Sequence, residues 1–400
     1  MPSPAATLRA YRPFMPMFGG LFCCLLGVGA SLATVPFYVL HRLHGGNVEV
    51  GVAVAALSVA AVLTRPVAGR LADGHGYKVL MLSGTVICVL AGTAYYGAAD
   101  AGLLVAVRIL HGIGEGTVYT GGAAWLVSQC PAERRGRVVG LYGIYMWLGI
   151  TLGTLAGTVL MRTVGFAAVW GFCLGAAAIG LLSVASKRTP PHPRVATARV
   201  SLLPRAAVVP GIALSLAALG YAALAAFVSL HMLARGVSNG IAAFDAFGFT
   251  YIGVRLFVGN LSDRLSPRTV ALWSALVEAA GLVIVALATS LVAVIIGGLI
   301  IGAGLSLLFP SLALVVINGT LETQRGAALG AFTSFWDVGI AVGAPVSGLV
   351  ASLTNYTDIY YVMAACAVVS ALMSAPDLVR RRVAVTGSVP DRYPTGSPPS

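Results

Sequence analysis

Apolar stretches of about 20 residues recur along the chain, separated by short polar turns. They fall at approximately 18 to 40, 50 to 69, 79 to 98, 103 to 127, 138 to 160 and 166 to 185. A second set follows at 207 to 232, 241 to 259, 270 to 289, 291 to 317, 327 to 351 and 357 to 376. A helix of about 20 residues covers a hydrocarbon core of roughly 30 Å, so the pattern predicts twelve transmembrane helices in two groups of six. Arg9 and Arg12 precede the first stretch, as they would in a secretory leader. That stretch is longer than a leader core and further spans follow directly, so it is expected to be a retained helix. The weakest break is the turn at Thr289 and Ser290.

Composition agrees with this reading: 58% of the 400 residues are hydrophobic and 10% are charged, a balance that a water-facing surface does not carry. The net charge of +12 would suit a nucleic-acid partner if the cations shared one soluble face. Instead they fall in alternate loops, as the positive-inside rule describes. The opposite loops hold only Arg42, Arg162 and Arg235, and Arg108 lies within a span. The expectation is a multi-pass protein of the plasma membrane, a monomer with both termini cytoplasmic and no nucleic-acid partner.

Residues 1–185 and 206–378 would form two six-helix bundles of an all-α membrane fold. The Pro- and Arg-rich segment 186–205 would be a cytoplasmic linker, and 379–400 a disordered tail. The six cysteines lie in or at the ends of spans without metal-site or disulfide spacing, so they are expected to pack; no metal or cofactor is expected.

The two groups repeat one another. Residues 190 apart match in kind: Arg65, Gly69, Leu71 and Asp73 with Arg255, Gly259, Leu261 and Asp263; Lys78 with Arg268; Gly112 and Gly114 with Gly302 and Gly304; Arg135, Gly136 and Gly140 with Arg325, Gly326 and Gly330. A constant offset across charged and glycine positions indicates internal duplication. Two parallel repeats enclosing a central site are a transporter architecture.

The stretch "GRLADGHGYK", Gly69 to Lys78, resembles the signature between helices two and three of the major facilitator superfamily. Gly69, Leu71, Asp73, Gly76 and Lys78 fit it, while Gly74 and Tyr77 stand where arginines are usual. "RILHGIGEG", Arg108 to Gly116, is similar to the fourth-helix signature of that family's proton-coupled drug exporters. The chain departs from the exporters in helix five, where "GITLGTLAG" lacks their proline; a proline element, "GIAVGAPVSG", stands in helix eleven instead. The resemblance runs from about residue 15 to 378. It implies twelve helices in two pseudo-symmetric bundles, and a cytoplasmic gate built from Arg65, Gly69, Asp73, Gly76, Lys78, Arg135 and Asp263. In that gate Asp73 would face the start of helix eleven near Ala327, where the helix dipole favours a negative charge. A plain solvated turn is the alternative for the same stretch.

Ionisable groups within spans cost roughly 2.5 to 3.5 kcal/mol each to insert and so mark candidate functional residues. Arg108, His111, Glu115 and Tyr119 are spaced to share one face of helix four, while Gly112 and Gly116 on an adjoining face would admit a close neighbour. Glu115 could exchange a proton as the bundles alternate, or could form a static pair with Arg108. Asp337, at mid-depth in helix eleven, could hold a proton or a cationic group. The candidates for proton coupling and substrate are therefore Arg108, His111, Glu115 and Asp337. Glu278 is expected to pack or to hydrogen-bond between helices, Asp245 to snorkel outward, and His41 and His231 to lie at the outer interface.

Tyr119, Tyr142, Tyr145, Trp147, Phe332, Phe335 and Trp336 could line a cavity for a flat or cationic organic compound, or could simply pack helices. The glycines of "GIGEG" lack a surrounding βαβ unit and no Walker A sequence is present, so an enzyme is not expected. The preferred reading is a proton-coupled exporter of a small, largely apolar organic compound. The alternatives are a proton symporter for a metabolite, which would usually expose more Asn and Gln, and a non-transporting receptor on the same scaffold.

Overall fold

The computed structural model describes residues 12–130, 135–187, 204–258, 265–321 and 324–375, and among them the chain is all helix with no strand. In chain order the helices are α1 (Met15–Phe37), α2 (Asn47–His75), α3 (Tyr77–Ala94), α4 (Ala101–Gln129), α5 (Arg135–Thr163), α6 (Phe166–Ser186), α7 (Arg205–Leu233), α8 (Ala242–Phe257), α9 (Pro267–Leu287), α10 (Leu291–Asn318), α11 (Arg325–Leu353) and α12 (Tyr356–Ser374). Eleven are long and apolar enough to cross a membrane. The remaining one, α8, is described over 16 residues and reaches the edge of the described segment.

Local chemistry places the breaks. The side chains of Asp100, Ser290 and Asn355 accept hydrogen bonds from backbone N–H groups in the first turns of α4, α10 and α12. Such caps satisfy donors that a helix start leaves free. Ser290 is therefore what divides α9 from α10, where the apolar pattern is nearly continuous. Between α2 and α3 the turn is made by Gly76 alone, at φ 91°, a region open to glycine. Gly74 remains helical. Helix α2 thus runs past the expected end near residue 69, and Arg70 is a helical rather than a loop residue.

Packing repeats in the two halves. Helix α1 packs on α5 and α6, α2 on α4, and α3 on α4 and α6; α7 packs on α11 and α12, α8 on α10, and α9 on α10 and α12. The halves meet where α2 lies against α11 and α5 against α8. Glycines bring the helices close: a methyl group built on Gly112 would lie 2.1 Å from the Leu57 carbonyl oxygen, and one on Gly116 3.0 Å from Ala61.

The interface between halves is tight at one end only. Call the face where α1 begins the entry face. At the opposite face, a methyl on Gly51 of α2 would lie 2.4 Å from the Ala344 carbonyl oxygen of α11, and one on Gly248 of α8 would lie 2.0 Å from Thr151 Oγ1 of α5. Thr154 Oγ1 donates to Asp245, and Tyr356 Oη donates to Asn47 at 2.8 Å. Towards the entry face, methyl groups on Gly140 and Gly143 of α5 and Gly330 of α11 would meet nothing within 4 Å. The halves are closed together at the far face and parted at the entry face.

Three expectations change here. Asp245 does not snorkel; it is buried, and Thr154 holds it across the α5–α8 interface. His231 lies in the last turn of α7, as an interface position would, but is buried within the protein, with Nε2 3.0 Å from the Val285 carbonyl oxygen. Glu278 is fully buried, and both of its carboxyl oxygens lack hydrogen-bond partners among the described residues, so it makes no interhelical hydrogen bond. Space for it comes from Gly220, where a methyl would lie 2.8 Å from Glu278 Oε1. A buried polar group without a partner costs about 1–3 kcal/mol. Glu278→Met, of similar volume, is therefore expected to raise the melting temperature of the purified protein; a drop would mean that the carboxyl has a partner.

Candidate functional site

Between the halves lies a cavity of about 370 Å³, walled by α1, α2, α4, α5, α7, α8, α10 and α11. Its lining is mostly apolar and aromatic and, among the described residues, contains no Asn or Gln. Val139 and Leu329, near the starts of α5 and α11, line its end towards the entry face.

The polar centre is Arg65. Its Nη1 donates to the Asp337 carboxylate of α11, its Nη2 lies 3.7 Å from Glu115 Oε1 of α4, and its guanidinium sits 4.9 Å over the ring of Tyr119. The arginine side chain is 16% exposed and the carboxylates 9% and 8%, so the triad is sheltered but reachable from the cavity. Arg65, expected among the gate residues, is a cavity cation that joins the two halves, and α2 continues for nearly three turns beyond it.

The polar face of α4 divides. Glu115 and Tyr119 face the cavity with Arg65, whereas Arg108 turns into its own half. Arg108 Nε donates to the Ala53 carbonyl at 2.9 Å, Nη1 to Ser31 Oγ at 2.9 Å and Nη2 to the Val54 carbonyl at 3.4 Å. There is no Arg108–Glu115 ion pair. Arg108 still contributes to the cavity wall, but His111 does not; its Nδ1 lies 3.1 Å from Tyr95 Oη inside the bundle. Three bonds to backbone and hydroxyl oxygens engage three of the guanidinium's five N–H donors and leave its charge uncancelled.

The aromatic candidates also divide. Tyr119, Trp147 and Trp336 line the cavity. Tyr142 is buried against α4 and donates to the Val118 and Tyr119 carbonyls, while Tyr145 stacks on Phe18 at 4.9 Å. Phe332 is buried, 5.3 Å from Phe309, and Phe335 packs on Gly211. These four pack helices because their positions on α5 and α11 face neighbours within the same half. Missed from the sequence were Tyr221, Tyr251 and Arg255, which complete the wall. Trp147 touches Tyr221 at 5.6 Å and Tyr251 at 4.3 Å, and Trp336 touches Tyr221 at 5.3 Å. The offset of 190 could have found Arg255 and Tyr251, since Arg65 and Ala61 line the cavity too.

Of the remaining gate candidates, Gly69 lies on α2 with open space around it, Gly76 makes the turn, and Lys78 Nζ donates to the Ala185 carbonyl at the end of α6. Asp263 and the side chains of Asp73 and Arg135 lie outside the described residues, as does the proposed contact near Ala327. Among the described residues no cluster of His, Cys, Asp and Glu could hold a metal ion.

The model of the Major Facilitator Superfamily matches residues 17–244 and 210–392. The chain belongs to that family. An uncharacterized MFS-type transporter of Salmonella typhimurium is 32% identical over 363 residues, 88% of this chain and 92% of that protein. One from Burkholderia mallei is 29% identical over 400 residues, 97% of each chain. Among solved structures, the nucleoside transporter NupG superposes with a TM-score of 0.74 at 14% identity, covering 90% of this chain and 98% of that one. The human organic anion transporter MFSD10 gives 0.66 at 18% identity, covering 91% and 99%. At those identities the structures speak for the fold. The protein is a multi-pass membrane transporter of the major facilitator superfamily and not an enzyme.

Proposed function

We propose that this protein is a proton-coupled secondary transporter that exports a small organic compound across the plasma membrane by alternating access, with the entry face towards the cytoplasm. The observation that carries the reading is the triad: one guanidinium of the first half holds a carboxylate of the second and faces another of its own. A single cation between two carboxyls leaves room for a proton, and a buried ion pair across the α2–α11 interface resists separation until its charge is cancelled. Proton uptake at Asp337 or Glu115 weakens that tie, so the state of protonation biases which face is open.

Export of a largely apolar cargo is favoured by a wall that, among the described residues, has no Asn or Gln. Co-transport of proton and cargo is the second reading, and it has its own observation: Arg108 and Arg255 line the same cavity without a carboxylate partner among the described residues. A proton on the triad would leave the cavity more cationic and readier for an anion.

Everted membrane vesicles made acidic inside separate the two. An exchanger dissipates the imposed pH gradient when its cargo is added outside, read as recovery of a trapped acridine dye across a compound panel. A symporter responds only when the gradient is reversed, and a receptor in neither case. Glu115→Gln is expected to abolish the dye response while downhill exchange of cargo persists. A native response in that variant would remove Glu115 from coupling.

A further inference from the structure

The internal symmetry of the cavity leaves Arg255 without the carboxylates that its counterpart Arg65 has among the described residues. Residues 190 apart line it from both halves: Arg65 and Arg255, Ala61 and Tyr251, Tyr119 and Phe309, Trp147 and Asp337. Arg65 is met by Asp337 and Glu115. The positions that would serve Arg255 in the same way are Trp147 and Leu305, neither of which can carry a negative charge. Arg255 Nη1 donates to Tyr251 Oη at 3.2 Å, and no carboxylate among the described residues lies within ion-pair distance of it. Among the described residues three guanidiniums and two carboxyls therefore line the cavity, a surplus of one positive charge when both carboxyls are ionised.

A guanidinium held at membrane depth with no carboxylate beside it among the described residues is costly, and such groups face ligand paths. Its planar fork matches the edge of a carboxylate, sulfonate or phosphonate, with donors to spare after the bond to Tyr251. Tyr251 also fixes the apolar side of the subsite, since its ring lies 4.3 Å from Trp147, which in turn lies 6.1 Å from Trp336.

We propose that the cavity recognises an amphiphilic organic anion, its head group held by Arg255 and its flat body against Trp147, Tyr251 and Trp336. Tyr251 acts as a positioning residue for the guanidinium. The inference rests on the transport reading only in taking this cavity as the cargo site, and it narrows the cargo from an apolar or cationic compound to one bearing a single negative group.

The test is calorimetric binding to the full chain in lipid nanodiscs, using 2-naphthoate and 2-naphthalenesulfonate, each against its neutral amide. At least one acid is expected to bind about tenfold or more tightly than its amide, a ratio of ~1.4 kcal/mol. Arg255→Gln should erase that preference, so that acid and amide bind alike, and Arg255→Lys should restore part of it, which a merely misfolded variant could not do. Equal binding of acid and amide in both pairs, or a preference that survives Arg255→Gln, overturns the anion subsite. Dye responses in Glu115→Gln vesicles report the coupling reading separately, so either idea can fail while the other stands.

Discussion

Arg65→Gln is expected to abolish proton-driven transport and to lower the melting temperature of the purified protein, because it strips the cation from two sheltered carboxyls on different halves. Breaking a buried pair by removing one partner costs about 3–5 kcal/mol, and contact with the cavity, which leaves the Arg65 side chain 16% exposed, reduces that figure. The double change Arg65→Gln with Asp337→Asn removes both ends of the tie and should recover stability relative to the single variant, without recovering coupling. The energy shared by the pair is read from the four melting curves of that cycle. If the single variant melts like the native protein, the pair does not hold the halves together.

Gly51→Val is expected to force the far face open. Gly51 packs against the backbone of Ala344 and Pro345, where an added methyl would lie 2.4 to 2.9 Å from main-chain atoms. Main chain on both sides cannot yield as a flexible side chain can, so α2 and α11 must part at that end. Overpacking of this kind costs typically about 1–3 kcal/mol, enough to shift a two-state equilibrium by roughly five- to a hundredfold. Spin labels at Val48 of α2 and Leu353 of α11, both exposed, would show a longer distance in the variant than in the native protein. Cargo flux should fall along with the closed population. An unchanged distance distribution would mean that the interface can absorb the side chain, and the account of closure would fail.

The energetic logic of the two predictions is the same. Most contacts between halves lie on α2, α5, α8 and α11, with Tyr356 of α12 and Tyr221 of α7 adding one each. Each half has its own extensive packing, so separating the halves at one end leaves both bundles intact. That is the condition for rocking about a central site.

Most of the helices could be read from the sequence to within a few residues because crossing a hydrocarbon layer is a one-dimensional requirement: enough consecutive apolar residues, with cations at alternate ends. The duplication was legible for a similar reason, since an offset of 190 survives in residue type alone. That Glu115 and Tyr119 would share a face with Arg108 followed from helical spacing, and that Gly112 and Gly116 would meet a neighbouring helix followed from their size. What the sequence did not carry was the partner of each buried charge. Arg65 and Asp337 are 272 residues apart, and only the seating of α2 against α11 brings them together. Spacing along α4 suggested that Arg108 could pair with Glu115, yet α1 and α2 supply nearer oxygens for Arg108, and Arg65 takes the carboxylate. The same limit governed the aromatics. Tyr142 and Trp147 sit on one helix, but which of them faces a cavity depends on the rotation of α5 against its neighbours. An apolar helix in lipid has no wet side to fix that rotation, so only the close packing of the other helices decides it.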